Sequence, residues 1–177
     1  MHRLFVALRP PPAIRSQLLD LMDGVPSARW QGDEQLHLTL AFVGEVERPV
    51  AEDIAAALGR VHQPRATVAL TGVGTFGRPT RPHSLWIGCT PNLALSQLQQ
   101  RVHRALVQAG ARPEARAFHP HVTLARLNAS AGPVEPFLAN HAGVALPSFE
   151  AEVFYLYESV LSRTGASYEA VARYPLT

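Results

Sequence analysis

A four-residue pattern, His-x-Thr-x, occurs twice in this 177-residue chain, as His37-Leu38-Thr39-Leu40 and as His121-Val122-Thr123-Leu124, 84 residues apart. Each copy sits in a run that reads as a β-strand, residues 36–43 and 121–127. Side chains alternate faces along a strand, so His37 and Thr39 share one face with Leu38 and Leu40 on the other. His121 and Thr123 stand likewise against Val122 and Leu124. A polar His-x-Thr face backed by an apolar one suits a strand that lies on a core and lines a wet cleft. A tetrapeptide of common residue types also recurs by accident, or marks two half-buried strands whose histidines are satisfied.

The flanking elements argue against accident. Leu4–Leu8 reads as a continuously apolar strand. Pro10, Pro11 and Pro12 then set up a helix with Ile14, Leu18, Leu21 and Met22 as its apolar stripe and Gly24 as its stop. The first motif strand follows and is expected to end at Gly44. A second helix begins near Pro49, with Val50, Ile54, Leu58 and Val61 on one face. One strand over 66–73 and a Gly- and Pro-rich loop over 72–82 are expected at the midpoint. The order then repeats: a strand over 84–89, a helix striped by Leu95, Leu98, Val102, Leu106 and Ala109 and ended by Gly110, then the second motif strand. Phe5 precedes His37 by 32 residues and Trp86 precedes His121 by 35, a matched spacing that indicates internal duplication independently of the motifs. After Ala129 come a loop and a short helix near Phe137. Two long strands, 149–162 and 168–176, close the chain as a hairpin around Gly165. No linker or low-complexity tract divides it. The expected fold is α+β, a single domain over 1–177 in which two similar αβ lobes with mainly antiparallel sheets meet at a central cleft.

Composition narrows the chemistry. All sixteen cationic residues are arginine. The absence of lysine removes Schiff-base and lysyl-nucleotide chemistry and the lysine of a phosphate-cradling loop. Guanidinium groups suit bidentate phosphate contacts, although an all-arginine chain also reflects coding bias. A net charge of +2 admits an anionic ligand without implying a nucleic-acid coat. The single cysteine, Cys89, excludes an internal disulfide framework and fits a reducing compartment. The apolar run at 4–8 is too short for a signal peptide, and none approaches the roughly 18 residues of a membrane span. A cytoplasmic monomer without membrane contact is expected.

Two histidines facing each other across a cleft suit acid–base work near neutral pH, one taking a proton and the other giving one. A hydroxyl two residues along the same face can donate to a non-bridging oxygen held between them. One such hydroxyl from each strand, Thr39 and Thr123, would grip a phosphate from both sides. Displacement at phosphorus needs a deprotonated nucleophile, a protonated leaving oxygen and neutralised equatorial oxygens, and paired His-x-Thr strands supply these parts without a metal or other cofactor.

The chain resembles the two-histidine (2H) phosphoesterases, and within them the bacterial and archaeal RNA 2′,3′-cyclic phosphodiesterases, historically called 2′-5′ RNA ligases. The resemblance covers essentially the whole chain. It is carried by Arg3-Leu4-Phe5-Val6-Ala7, the motif with its tail Ala41-Phe42-Val43-Gly44, Ser84-Leu85-Trp86, Phe118-His119-Pro120 leading into the second motif with Ala125-Arg126, and the ending Leu156-Tyr157-Glu158-Ser159-Val160-Leu161 with Gly165 and Tyr168. It implies a bilobal fold with pseudo-twofold symmetry and metal-free hydrolysis of a 2′,3′-cyclic phosphate on an RNA end or small nucleotide to a 2′-phosphate. By the same resemblance His37 is the general acid that protonates the departing 3′ oxygen, His121 is the base that activates water, and Thr39 and Thr123 bind phosphate. Without lysine an ATP-driven ligase working through a lysyl-adenylate is impossible here, so any 2′-5′ joining would be metal-free reversal of the diester chemistry. The alternatives are a phosphodiesterase of another cyclic or 2′-5′-linked nucleotide, and an RNA-end binding module that does not turn over.

Other residues carry weaker signals. Strict alternation puts Arg126 on Leu124's face, away from His121, so a phosphate contact by Arg126 requires a bulge or a strand end. His119 and His121 form a His-x-His pair, but no third and fourth ligand stand at metal-site spacing. Phe5 and Trp86 hold equivalent places and either stack on a base or fill the core. Arg78 and Arg81 fall in the expected midpoint loop and meet an RNA backbone or solvent. Tyr155, Tyr157 and Ser159 share a face that lines the cleft or packs. Cys89 reads as a small buried apolar residue. His2, His62, His83, His103 and His141 are read as structural or solvated.

Overall fold

The computed structural model describes all residues, 1–177. In chain order the elements are β1 (His2–Leu8), α1 (Pro12–Asp20), β2 (Arg29–Trp30), a 3₁₀ turn (Asp33–Gln35), β3 (Leu38–Val46), α2 (Arg48–Leu58), β4 (Ala66–Val68), β5 (Leu70–Arg78), β6 (Arg81–Cys89), α3 (Leu93–Gln108), β7 (His121–Arg126), α4 (Glu135–Asn140), β8 (Phe149–Ala151), β9 (Val153–Ser162) and β10 (Gly165–Pro175). One antiparallel sheet runs β10-β9-β1-β3-β7-β6-β5, with β2 attached to β7, while β4 and β8 form a separate pair. The halves meet at a single rung, Leu38 opposite Val122. These residues follow the two motif histidines, so the pseudo-twofold axis passes between them.

α1 starts on prolines, whose fixed φ suits the first turn. α2 turns Ile54, Ala57 and Leu58 inward, and α3 turns Leu95, Leu98, Val102, Ala105 and Leu106 inward. The Asn92 side chain caps α3 by accepting from Leu95 N–H. These stripes join the apolar face of the sheet in one continuous core. In β1, Leu4, Val6 and Leu8 face that core, whereas Phe5 and Ala7 are buried on the opposite face with Tyr157. Burial on both faces explains why β1 reads as an unbroken apolar run.

Four expectations about elements need correction. Residues 66–73 are not one strand: the chain changes sheet at Ala69, between β4 and β5. The stretch 72–82 is not a loop but the greater part of the β5–β6 hairpin, whose tip pairs Arg78 with Arg81. Its glycines accommodate backbone and neighbours: Gly77 takes φ +108°, and a Cβ on Gly74 would come within 2.4 Å of the Trp86 ring that crosses it. β3 does not stop at Gly44; Val43 forms a bulge, Gly44 takes φ +84°, and pairing with β1 continues to Val46. β8, expected as the start of a long strand, pairs with β4 instead.

Two further bulges matter more. Leu40 is the extra residue between the rungs Ala7–Thr39 and Val6–Ala41, and Leu124 is the extra residue between Trp86–Thr123 and Leu85–Ala125. Burial then runs in the same sequence over 38–42 and 122–126: inward, cleft, two inward, then outward.

Candidate active site

One cavity of about 300 Å³ lies over the junction of the two motif strands. His37, Thr39, His121, Thr123 and Arg126 all line it. Strict alternation along β7 would turn Arg126 away from the cavity, and the bulge at Leu124 brings it back. Further lining comes from residues that sequence reasoning did not select: Arg3, Gln31, Gln35, Phe42, Glu114 and Tyr168. One signal was available for Phe42. It stands 84 residues before Arg126, as His37 does before His121. At 49% exposure it is a large apolar side chain left open to the cleft.

His37 is held from behind. Arg9 donates to the carbonyls of Asp33 and Leu36 at 2.7 and 3.0 Å, and Arg15 pairs with the Asp33 carboxylate at 2.9 Å. Gln35 donates to the Ala166 carbonyl at 3.0 Å, tying the entry of the first motif to β10. The imidazole sits among Phe5, Tyr157 and Tyr168, with ring centroids 5.9, 4.4 and 5.5 Å away. Only 6% of His37 is exposed, and neither ring nitrogen has a hydrogen-bond partner of normal geometry. Burial, reinforced by the Arg9 charge and opposed by the nearby Gln35 carbonyl, lowers its pKa to about 4.

His121 is arranged differently. Its Nδ1 lies 2.6 Å from the His119 carbonyl oxygen. A carbonyl only accepts, so Nδ1 carries the proton and Nε2 presents a lone pair. Phe76 and Trp86 flank the ring at 4.9 and 6.2 Å. Burial pulls its pKa below the ordinary value, the His119 carbonyl opposes this, and the charges of His119 and Arg126 add to the lowering.

Phe5 and Trp86 serve as walls behind the histidines rather than free stacking platforms, since Phe5 is buried and Trp86 packs among Gly74, Phe76 and His119. Ser159 lines the cavity, Tyr157 belongs to the box around His37, and Tyr155 packs on Tyr157. His119 stacks on His121, and no group of three or more His, Cys, Asp or Glu side chains is placed to hold a metal. Arg78 and Arg81 belong to strands, and Cys89 is half-buried rather than buried.

A model of the 2′-5′ RNA ligase superfamily matches residues 9–157. The chain belongs to that superfamily. Among its relatives, the RNA 2′,3′-cyclic phosphodiesterase of Aeropyrum pernix is 36% identical over 151 residues, covering 84% of this chain and 85% of the relative. The Escherichia coli protein of the same name is 32% identical over 180 residues, with 99% and 97% coverage. Solved structures of Escherichia coli LigT, in apo form and complexed with 3′-AMP, each superpose with a TM-score of 0.80 at 29% identity over 99% of this chain and 98% of theirs. The superfamily fold is therefore present end to end, and the bilobal α+β expectation holds. No helix is long and apolar enough to cross a membrane.

Proposed function

We propose that this member of the superfamily hydrolyses RNA 2′,3′-cyclic phosphate ends to 2′-phosphates by two-histidine acid–base catalysis. The observation that carries the reading is the convergence of both motif histidines and both motif threonines on one cavity, in a chain whose relatives bear the name RNA 2′,3′-cyclic phosphodiesterase.

His121 enters the reaction neutral, with its Nε2 lone pair free because Nδ1 is committed to the His119 carbonyl. Nε2 takes a proton from water as the water oxygen bonds to phosphorus. The P–O3′ bond breaks on the opposite side, and protonated His37 delivers its proton to the 3′ oxygen, leaving a 3′ hydroxyl and a 2′-phosphate. Thr39 and Thr123 donate to the non-bridging oxygens, and Arg126 neutralises charge there. His37 is neutral in the empty cleft. The phosphate anion provides the partner its ring nitrogens lack and the charge that favours protonation. All these groups come from one chain, which supports a monomer as the working unit. The lone Cys89 is compatible with work in the reducing cytoplasm.

The test is a panel of RNAs and nucleotides ending in 2′,3′-cyclic phosphate, with the product phosphate located by NMR. A 2′-phosphate formed equally well in EDTA is expected. A 3′-phosphate product, or activity abolished by EDTA and restored by Zn²⁺, refutes the division of roles between the histidines. No turnover of any substrate by the wild-type protein leaves a binding module.

A further inference from the structure

β2 is only two residues long, and it forms because Trp30 turns into the core, 5.8 Å from Phe137, while Gln31 N–H donates to the Leu124 carbonyl at 2.9 Å. Arg29 and Gln31 therefore share the opposite face, and Gln31 lines the cavity. In register, Arg29 stands directly opposite Arg126, which lines the same cavity. Like charges directly opposed across an antiparallel pair repel each other. Neither guanidinium enters an ion pair, although Arg9, Arg15, Arg48, Arg65 and Arg116 all do. Both arginines are exposed. The sheet thus fixes two uncompensated cations side by side at the rim of a phosphate site.

A cyclic phosphate carries one negative charge, and the motif residues already surround it. An RNA end differs from a nucleoside 2′,3′-cyclic phosphate in having a second phosphate, on the 5′ oxygen of the same ribose. Given the phosphodiesterase reading, on which this inference rests, we propose that Arg29, set beside Arg126 at the rim, clamps that 5′-side phosphate, so that the site selects nucleotides with a 5′ phosphate over bare cyclic nucleosides. Guanidinium forks match phosphate oxygens bidentately, and Trp30 beneath β2 keeps Arg29 in register.

The experiment compares adenosine 2′,3′-cyclic phosphate with and without a 5′-phosphate. In the wild-type protein the 5′-phosphate is expected to raise kcat/KM on the order of tenfold at low salt. Arg29→Ala brings that ratio close to one, Arg29→Glu takes it below one, and Arg29→Lys retains part of it. As a second readout, the plot of log kcat/KM against log salt for the 5′-phosphorylated substrate becomes shallower in Arg29→Ala by roughly 0.7, the value for one lost single-strand phosphate contact. Ratios and slopes equal in wild type and all three variants overturn the clamp and leave the phosphodiesterase reading standing. A wild-type protein that hydrolyses neither substrate overturns that reading and the clamp with it.

Discussion

The two motif strands have the same burial sequence and matched bulges, yet their histidines live in different surroundings. His37 is boxed in by aromatic rings, and the Gln35 carbonyl beside it makes no hydrogen bond of normal geometry. His121 is half-buried and pinned by the His119 carbonyl. The backbone duplicates a geometry, and the neighbours decide the chemistry. A pinned tautomer with a free lone pair is prepared to accept a proton. A desolvated imidazole acquires its proton when an anion arrives, and so suits the acid. This difference supports the roles proposed for the pair on grounds separate from family likeness.

The comparison breaks most sharply by deletion. His37→Ala and His121→Ala are each expected to lower kcat by roughly 10²–10⁴-fold. A substrate with sulfur in place of the 3′ leaving oxygen needs little protonation, so it should restore turnover to His37→Ala and not to His121→Ala. Rescue of the other variant reverses the assignment.

Next in size is the box itself. Phe5→Ala is expected to cost about 3–5 kcal/mol in denaturant unfolding and, by admitting water, to raise the His37 pKa toward 6.5, as read by NMR titration of its ring protons. An unchanged pKa would mean that burial by Phe5 is not what depresses it.

The depressed pKa also predicts pH dependence. Between its unfolded value near 6.5 and its folded value of about 4, His37 binds more protons in the unfolded chain. Its neutral form therefore contributes stability that is fully present above pH 6.5 and lost as pH falls toward 4. The loss amounts to roughly 3 kcal/mol if the full shift is realised. His37→Asn should flatten that limb of the stability curve. In catalysis both histidines are lowered, so the kcat/KM profile of the free enzyme should peak below pH 6.5, with the kcat profile displaced upward by the bound phosphate.

The smallest effect is expected at His119. Its carbonyl, not its ring, holds His121. His119→Ala should therefore change kcat only a few-fold, and a loss comparable to His121→Ala would show the imidazole itself to be essential.

The matched halves, the helices and the two histidines were legible in the sequence because they are written in period and spacing. The midpoint hairpin was not, since Gly72, Gly74 and Gly77 look like loop residues when read locally. Gly74 is there to let Trp86 cross it, a tertiary reason invisible to local pattern. Arg126 shows a subtler limit. Alternation turned it away from the site, and the residue that reverses the sign, Leu124, is an ordinary buried leucine whose pairing partners alone reveal the bulge. Glu114, brought beside Phe42 by a backbone hydrogen bond of 3.2 Å, lies on an irregular segment with no periodicity to place it.

The bulges at Leu40 and Leu124 let each strand send one more residue to the rim without exposing the core, and at those equivalent stations the chain carries Phe42 and Arg126. A cleft with true dyad symmetry would admit a cyclic diester in two interchangeable poses, one expelling the 2′ oxygen and the other the 3′. An apolar ring on one bank and a cation on the other break that dyad at the rim. The two banks therefore offer a bound diester different chemistry although their backbones match.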